Sequence, residues 1–423
     1  MNFFIVLFGK ILSSLSKKLN LGSGSTWPGH IALKLNRHFI EELLSKSKTK
    51  VILITGTNGK TTTSKLIETI LTKAGKKVIL NKSGANLLNG LASLLIENSN
   101  KGKIDADFLI FEADENVVPK IAEIISPDYV IALDLFRDQL DRYGEIDSIS
   151  QNWKKAYKNF TKSKFILNAD DPQIYFLSNG LKNKTLFFGL NEGEEQKQLE
   201  HASDSTICPK CGSDLKYSKI YYSHIGNWSC PKCGLKPEKI DLKTSPFYPL
   251  KGTYNKYNTL AAVLLAKDLG IKDKDIEESL KSFVPAFGRQ EILKVNGKRV
   301  EILLAKNPSS FNESLRTIES QNGKNVLIVL NDRIPDGTDV SWIWDVDFKD
   351  LTNNMKLSIA GDRVYDLALR MKYTDNEYGM FEDLETAIEK NLEKINENQT
   401  LFILPTYSAM LDARKLLTGK KIL

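Results

Sequence analysis

Apolar runs short enough to be strands alternate with helical patterns from about Lys48 to Asp171. The runs are KVILIT, KVILN, DFLIFEAD, DYVIALD and KFILNADD. Each is continuously apolar rather than alternating, as in a strand covered on both faces, and helical patterns lie between them. The expected result is a mostly parallel sheet with helices on both sides. The pattern breaks around residues 190–245 and resumes as a helix at NKYNTLAAVLLAKDLGI. A third section, from near Lys294, alternates again through VEILLA, NVLIVLND, KLSIAG and TLFILP. It predicts a second, smaller α/β domain.

Ahead of the first strand, Phe4, Leu7, Phe8, Ile11, Leu15 and Leu19 recur at helical spacing, and the turn-rich GSGSTWPGH follows. The stretch has no basic start before its apolar run and no small-residue cleavage site, so it does not read as a signal peptide. Lys10, Lys17 and Lys18 add positive charge. The leading expectation is a helix packed on the protein's own body. A helix lying at a membrane interface is the alternative. No run approaches the roughly 18 apolar residues of a membrane span.

Polar residues gather just after the predicted strands: Gly56–Thr62, Glu112–Glu115, Asp134–Asp138 and Asn168–Asp171. Open α/β sheets bind ligands at the carboxyl ends of their strands, so the four clusters are expected to line one site. The first cluster, GTNGKTT, is a phosphate loop between strand and helix. Gly56, Thr57, Asn58 and Gly59 bring backbone N–H groups to the phosphates, Lys60 reaches the outer ones, and Thr61 or Thr62 ligates Mg²⁺. The common pattern puts a glycine five residues before the Gly-Lys glycine; here that place is Ile54. In FEADE, Glu112, Asp114 and Glu115 are hard oxygen ligands, with Glu112 the first choice for Mg²⁺; a charged strand end is the bland reading.

With 423 residues, 41% hydrophobic and 26% charged, the chain reads as a globular protein of two or three domains. The net charge of +7 fits an anionic substrate or membrane surface but is too dispersed to indicate nucleic acid. All four cysteines fall in one segment. Cys208, Cys211, Cys230 and Cys233 form two C-x2-C pairs, each followed by glycine, at the spacing of a four-thiolate zinc site. Four thiolates leave no open position, so the zinc is read as structural and the ribbon as a rigid surface insertion. Five aspartates (Asp332, Asp336, Asp339, Asp345 and Asp347) crowd a loop with Trp342 and Trp344, a pattern open between a partner interface and a packed turn. The four histidines lie outside these clusters, and no Ser/His/Asp or Cys/His catalytic arrangement is legible.

Together these motifs resemble the Mur ligase family, ATP-dependent enzymes that form amide bonds in peptidoglycan precursors. GTNGKTT is similar to the family's phosphate loop. GTYNKYNTLAA is similar to its adenine-contacting segment, with Asn255 and Asn258 in matching places. FGRQE, with Arg289, resembles its Gly-Arg motif. The resemblance implies a central P-loop ATPase domain over 46–292, interrupted by a four-cysteine zinc ribbon over 203–240. A helical segment and linker (1–45) would precede it, and a smaller Rossmann-like α/β domain over 293–423 would follow. Departures narrow the choice. Lys306 stands where amino-acid-adding members have a histidine, as does Gln139 in RDQLDRYGEID, and such a ribbon is foreign to the ordinary ligases. With SGANLLNG, NADDP and DGTDVSWIWDVDF, they are similar to the branch that amidates lipid II.

That resemblance implies ATP, Mg²⁺ and structural Zn²⁺, with Lys60 and Glu112 at the chemistry. It also implies ammonia from a GatD-like glutamine amidotransferase partner. Asp339, with Asp345 and Asp347 in reserve, would complete the partner's Cys-His pair. The location would be cytoplasmic, at the inner face of the cell membrane. A stand-alone Mur-type or folylpolyglutamate-type amino-acid ligase is the alternative enzyme; a zinc-ribbon nucleotide-binding protein is the non-enzymatic one.

Overall fold

The computed structural model describes residues 2–18, 26–81, 86–100, 102–138, 145–190, 199–201, 203–352 and 354–419. Leu19 and Gln139 lie outside them. Helices α1 (Asn2–Lys18), α2 (Trp27–Leu35) and α3 (Phe39–Ser45) open the chain. The first sheet follows with β1 (Lys50–Thr55) and β2 (Val78–Leu80). A small ribbon of β3 (Ser99–Asn100) and β4 (Lys103–Ile104) intervenes. The sheet continues with β5 (Phe108–Glu112), β6 (Tyr129–Ala132), β7 (Lys164–Asn168) and β8 (Thr185–Phe188). Its order is β2-β5-β1-β6-β7-β8, with every pairing parallel.

Burial on both faces accounts for the continuous apolar runs. Ile52 and Ile54 of β1 meet Leu66 and Ile70 of α4 (Lys60–Lys73) and the helix Thr253–Asp268. Val51 and Leu53 point the other way, into a core with Leu91 and Leu95 of α5 (Leu88–Asn98) and Trp153. The register places Ile54 beside Glu112 and Thr55 beside Ala132. The turns that follow β1, β5 and β6 therefore emerge side by side.

The chain leaves this sheet after Phe188 and returns at Leu242, which bridges to it. The excursion carries the antiparallel hairpin β9 (Lys216–Tyr222) and β10 (Ile225–Ser229). The second sheet has β11 (Arg289–Val295), β12 (Lys298–Leu303), β13 (Asn325–Val329), β14 (Lys356–Ala360), β15 (Tyr378–Met380) and β16 (Thr400–Pro405). Its order is β11-β12-β16-β13-β14-β15, parallel except for the β11–β12 hairpin. Every expected strand forms. The pattern passed over β8, β11 and β15, which lie at sheet edges and are only partly covered.

Candidate active site

A cleft of about 460 Å³ separates the two α/β domains, floored by the phosphate loop. Thr57, Asn58, Gly59, Lys60, Thr61 and Thr62 line it, as do Asn255, Asn258 and Arg289. The loop holds its shape by bonds to the turn after β6. Asn58 N donates to Asp134 Oδ1 (2.8 Å), Thr57 N to the Asp134 carbonyl (3.1 Å) and Phe136 N to Thr57 Oγ1 (3.0 Å). Gly59 has φ +82°, and a Cβ there would stand 2.0 Å from Asn258 Oδ1. Only glycine allows both the backbone angle and the approach. Gly56 lies behind the loop, its carbonyl accepting from Lys60 Nζ.

Glu112 is buried beneath the loop. It accepts from Thr61 Oγ1 (2.8 Å) and Ser64 Oγ (2.6 Å), both on the first turn of α4. Burial pushes its carboxyl above the usual range, against those hydroxyls and Lys60. Lys60 Nζ lies 3.7 Å from Glu115, whose Oε1 has no hydrogen-bond partner among the described residues. These hard oxygens beside a phosphate loop fit a magnesium ion.

The second domain closes the cleft with the start of the helix Pro308–Ser320. Asn307 caps that helix and donates Nδ2 to Asn58 Oδ1 at 3.2 Å. Lys306 Nζ is bonded to Asp138 Oδ2. Burial pulls the Lys306 pKa down, but Asp138 and Glu115 outweigh that and hold it above the ordinary value. The Lys306–Asp138 pair was invisible in the sequence, because 168 positions separate its members. Glu313, which also lines the cleft, carried no local signal, while Asn86 and Tyr254 line it from within SGANLLNG and GTYNKYNTLAA without having been singled out there.

The fourth polar cluster does not join the site. Asn168, Asp170 and Asp171 are buried. Asp171 caps the helix Pro172–Leu177 and accepts from Leu135 N (2.9 Å); Asp170 accepts from Tyr257 Oη (2.7 Å) and Leu190 N (2.8 Å). Their task is to satisfy buried donors.

The Sγ atoms of Cys208, Cys211, Cys230 and Cys233 all lie within 4.8 Å of one another. Both knuckles repeat one design: Gly212 N donates to the Cys208 carbonyl (2.9 Å) and Gly234 N to that of Cys230 (3.0 Å), each glycine with positive φ. Four soft thiols at this spacing fit zinc. The ribbon is not the surface appendage expected. Its hairpin buries Tyr221, Tyr222 and Ile225 in the first domain's core, and Trp228 Nε1 bonds the Ala169 carbonyl (3.1 Å). Tyr222 reaches the cleft wall.

Asp339 lies outside the cleft, exposed, accepting from Ser341 N at 2.8 Å. That bond holds its carboxyl below the usual range. The neighbouring aspartates are engaged elsewhere. Asp332 pairs with Arg363, Asp345 with Arg137 and Asp347 with His201, while Asp336 accepts from Ser408 N. Trp342 packs on Phe311, with ring centroids 5.3 Å apart, whereas Trp344 is partly exposed against Tyr373.

A phosphate loop facing a second α/β domain across a cleft defines a two-domain, nucleotide-dependent enzyme. Residues 54–266 match the Mur ligase middle domain, and residues 304–410 match the MurT ligase C-terminal domain. The chain is 31% identical to the MurT subunit of lipid II isoglutaminyl synthase (glutamine-hydrolyzing) from Streptococcus pneumoniae, over 95% of this chain and 94% of that one. It is 32% identical to the Staphylococcus aureus MurT subunit, over 92% and 91%. The chain belongs to the Mur ligase family, in its MurT branch. Solved structures share the fold. A pseudomurein peptide ligase type C from Methanothermus fervidus superposes with TM-score 0.67 at 22% identity, covering 89% of this chain and 80% of that one. MurF ligase from Thermotoga maritima in complex with ADP gives 0.64 at 14%, covering 91% and 83%.

Proposed function

We propose that this chain is the synthetase subunit of a lipid II isoglutaminyl synthase in peptidoglycan biosynthesis. It uses ATP to amidate the α-carboxyl of D-glutamate in lipid II, giving D-isoglutamine. The observation that carries this reading is the cleft. In a chain similar to MurT subunits over more than nine-tenths of its length, the phosphate loop meets Lys306 and Asn307 of the second domain across one cavity.

A carboxylate resists attack by ammonia until one oxygen becomes a leaving group. The γ-phosphoryl group of ATP passes to a carboxylate oxygen, forming an acyl phosphate and ADP. The ammonia lone pair attacks the acyl carbon. Phosphate leaves with the C–O bonding pair, and the nitrogen sheds a proton. The loop amides and Lys60 hold the transferring phosphates, and Lys306 adds fixed positive charge across the cleft. Asn255, Asn258 and Arg289 complete the nucleotide's surroundings. Thr61 and Glu112 would hold Mg²⁺, which supplies charge neutralisation on the phosphates. Zn²⁺ in the ribbon would be structural.

All four cysteines sit in the ribbon, so the thiol that hydrolyses glutamine belongs to a GatD-like amidotransferase partner. Residues 293–423 form the partner-binding domain. Asp339, exposed and ionised, supports a role in completing the partner's Cys-His pair. Tyr365 and Leu369 are exposed on the helix Val364–Met371 and Tyr373 in the turn just beyond it, with Trp344 against Tyr373, an aromatic surface of the kind that anchors a protein partner. The reaction takes place at the cytoplasmic face of the membrane.

The test is mass spectrometry of lipid II incubated with this chain, ATP and Mg²⁺, supplied with either ammonium or glutamine plus the partner. The expected product has one hydroxyl replaced by an amino group. No such product under either condition, with ATP bound but unconsumed, refutes the reading.

A further inference from the structure

Helix α1 packs on the protein by one face only. Ile5, Val6 and Gly9 are buried on that face. The approach is close enough that a Cβ on Gly9 would stand 2.9 Å from Ile96 Cγ2 of α5. Polar groups on the same face are satisfied internally: Asn2 Nδ2 donates to Glu42 (2.8 Å) and Ser13 Oγ to Glu97 (3.2 Å). The stripe that the sequence suggested for packing points the other way. Phe3, Phe4, Leu7, Phe8 and Ile11 are between 49% and 71% exposed, and Trp27, at the start of α2, is 68% exposed.

Singly exposed apolar residues are ordinary, but five on one helical face within roughly two and a half turns form a patch. The segment that carries it is net basic, although Glu42 and Glu97 accept hydrogen bonds from the helix's packed face. Residues 1–50 hold Lys10, Lys17, Lys18, Lys34, Arg37, Lys46, Lys48 and Lys50 against Glu41 and Glu42, leaving 51 basic against 50 acidic residues for the rest of the chain. Most of the chain's net charge is therefore concentrated in the segment that bears the patch. Lys10 Nζ turns back to the Ser99 carbonyl (2.6 Å), but Lys34 and Arg37 are exposed, and an aromatic-rich apolar face in a net-basic segment is complementary to an anionic bilayer, with rings at the acyl boundary and such cations among the headgroups. Among the described residues no helix is long and apolar enough to cross a membrane, so this surface would lie on the bilayer.

We infer that α1, with Trp27 of α2, is a docking surface for anionic phospholipid membrane, inserting Phe3, Phe4, Leu7, Phe8 and Ile11 at the interface. The inference stands apart from the proposed reaction, since it uses no residue of the cleft. The test is flotation of the full chain with vesicles of phosphatidylcholine, alone or mixed with phosphatidylglycerol, containing no peptidoglycan precursor. Binding is expected to the mixed vesicles, weakening with salt. The double variant Phe4→Glu/Phe8→Glu should lose at least about tenfold in affinity. Lys34→Glu, at an exposed position, should lose about fivefold or more. Unchanged ATP binding by both variants shows that the fold is intact. The proposal is overturned if the wild-type chain does not float with anionic vesicles, or if the double variant floats equally well. It is also overturned if sedimentation without vesicles shows an oligomer that the double variant dissociates, because the face would then belong to a second copy.

Discussion

Asn307 and Asn58 join the two domains across the cleft: Nδ2 of the first donates to Oδ1 of the second at 3.2 Å. Asn58 also reads Asp134 through its backbone N–H, so one residue of the phosphate loop is tied to both walls. Closure of the cleft and the loop's shape are thus mechanically linked.

Asn307 has two tasks that one substitution separates. Its Oδ1 accepts from Ser310 N (2.9 Å) as a helix cap, and its Nδ2 makes the interdomain bond. Asn307→Asp keeps the acceptor and loses the donor. The melting temperature should hold while kcat for amidation falls. Asn307→Ala should lose both, with about 1 kcal/mol of stability from the missing cap. Equal kcat for Asn307→Asp and wild type would show that the interdomain bond does not matter for turnover.

Gly59→Ala should abolish ATP binding. The new methyl meets Asn258 Oδ1 at 2.0 Å, and the positive φ adds strain of about 1 kcal/mol or more. Replacing Asn258 by glycine as well removes the clash but not the strain, so partial recovery of binding in calorimetry is expected. Full ATP affinity in Gly59→Ala alone would contradict this geometry.

Asp134 gives the first domain a pH dependence. Burial, aided by the charges of Asp171 and Glu115, raises its pKa to about 7 from the ordinary 3.8, against the Asn58 N–H and Lys60. The folded state therefore holds this proton more tightly than the unfolded chain. The contribution to stability is complete below the ordinary carboxylate range and is lost as pH climbs through about 7. Asp170, also raised to about 7 by burial, acts with the same sign. Asp134→Asn should flatten the decline in melting temperature across that window; an unchanged slope would assign the titration elsewhere.

Cys230→Ser, or chelation of the metal, should reach the cleft. The hairpin between the knuckles buries Tyr221, Tyr222 and Ile225 in the core around α4, and Tyr222 lines the nucleotide cavity. Loss of zinc, measured by elemental analysis, should be accompanied by a lower melting temperature and weakened ATP binding. Undiminished ATP affinity in a metal-free protein would restore the picture of an independent surface ribbon.

Asp339→Asn should split the two nitrogen sources. Amidation with ammonium should persist, since Asp339 lies outside the cleft, while glutamine-dependent amidation with the partner should fall by about 10² or more. An equal loss with both sources would place Asp339 in folding or in the ligase chemistry.

Much of this molecule was legible because its signals are local. GTNGKTT carries its own turn, donors and helix start; two C-x2-C pairs with following glycines set a thiolate site; and continuous apolar runs announce strands buried on both faces. These features depend on neighbours a few residues apart, where sequence spacing maps directly onto space. Tertiary structure decided everything that depends on which face meets what. Periodicity showed that Phe4, Leu7, Phe8 and Ile11 share one side of α1, but only packing through Gly9 turned that side outward. The acids at 168–171 look like those at 112–115 in sequence, yet buried donors from Leu135, Tyr257 and Leu190 draw them inward. The pairing of Lys306 with Asp138, and the seating of Tyr222 in the nucleotide cleft, arise because two sheets and an inserted hairpin converge there. Composition and spacing set which groups are available; the long-range packing of apolar faces and the pairing of buried polar atoms set where each is used.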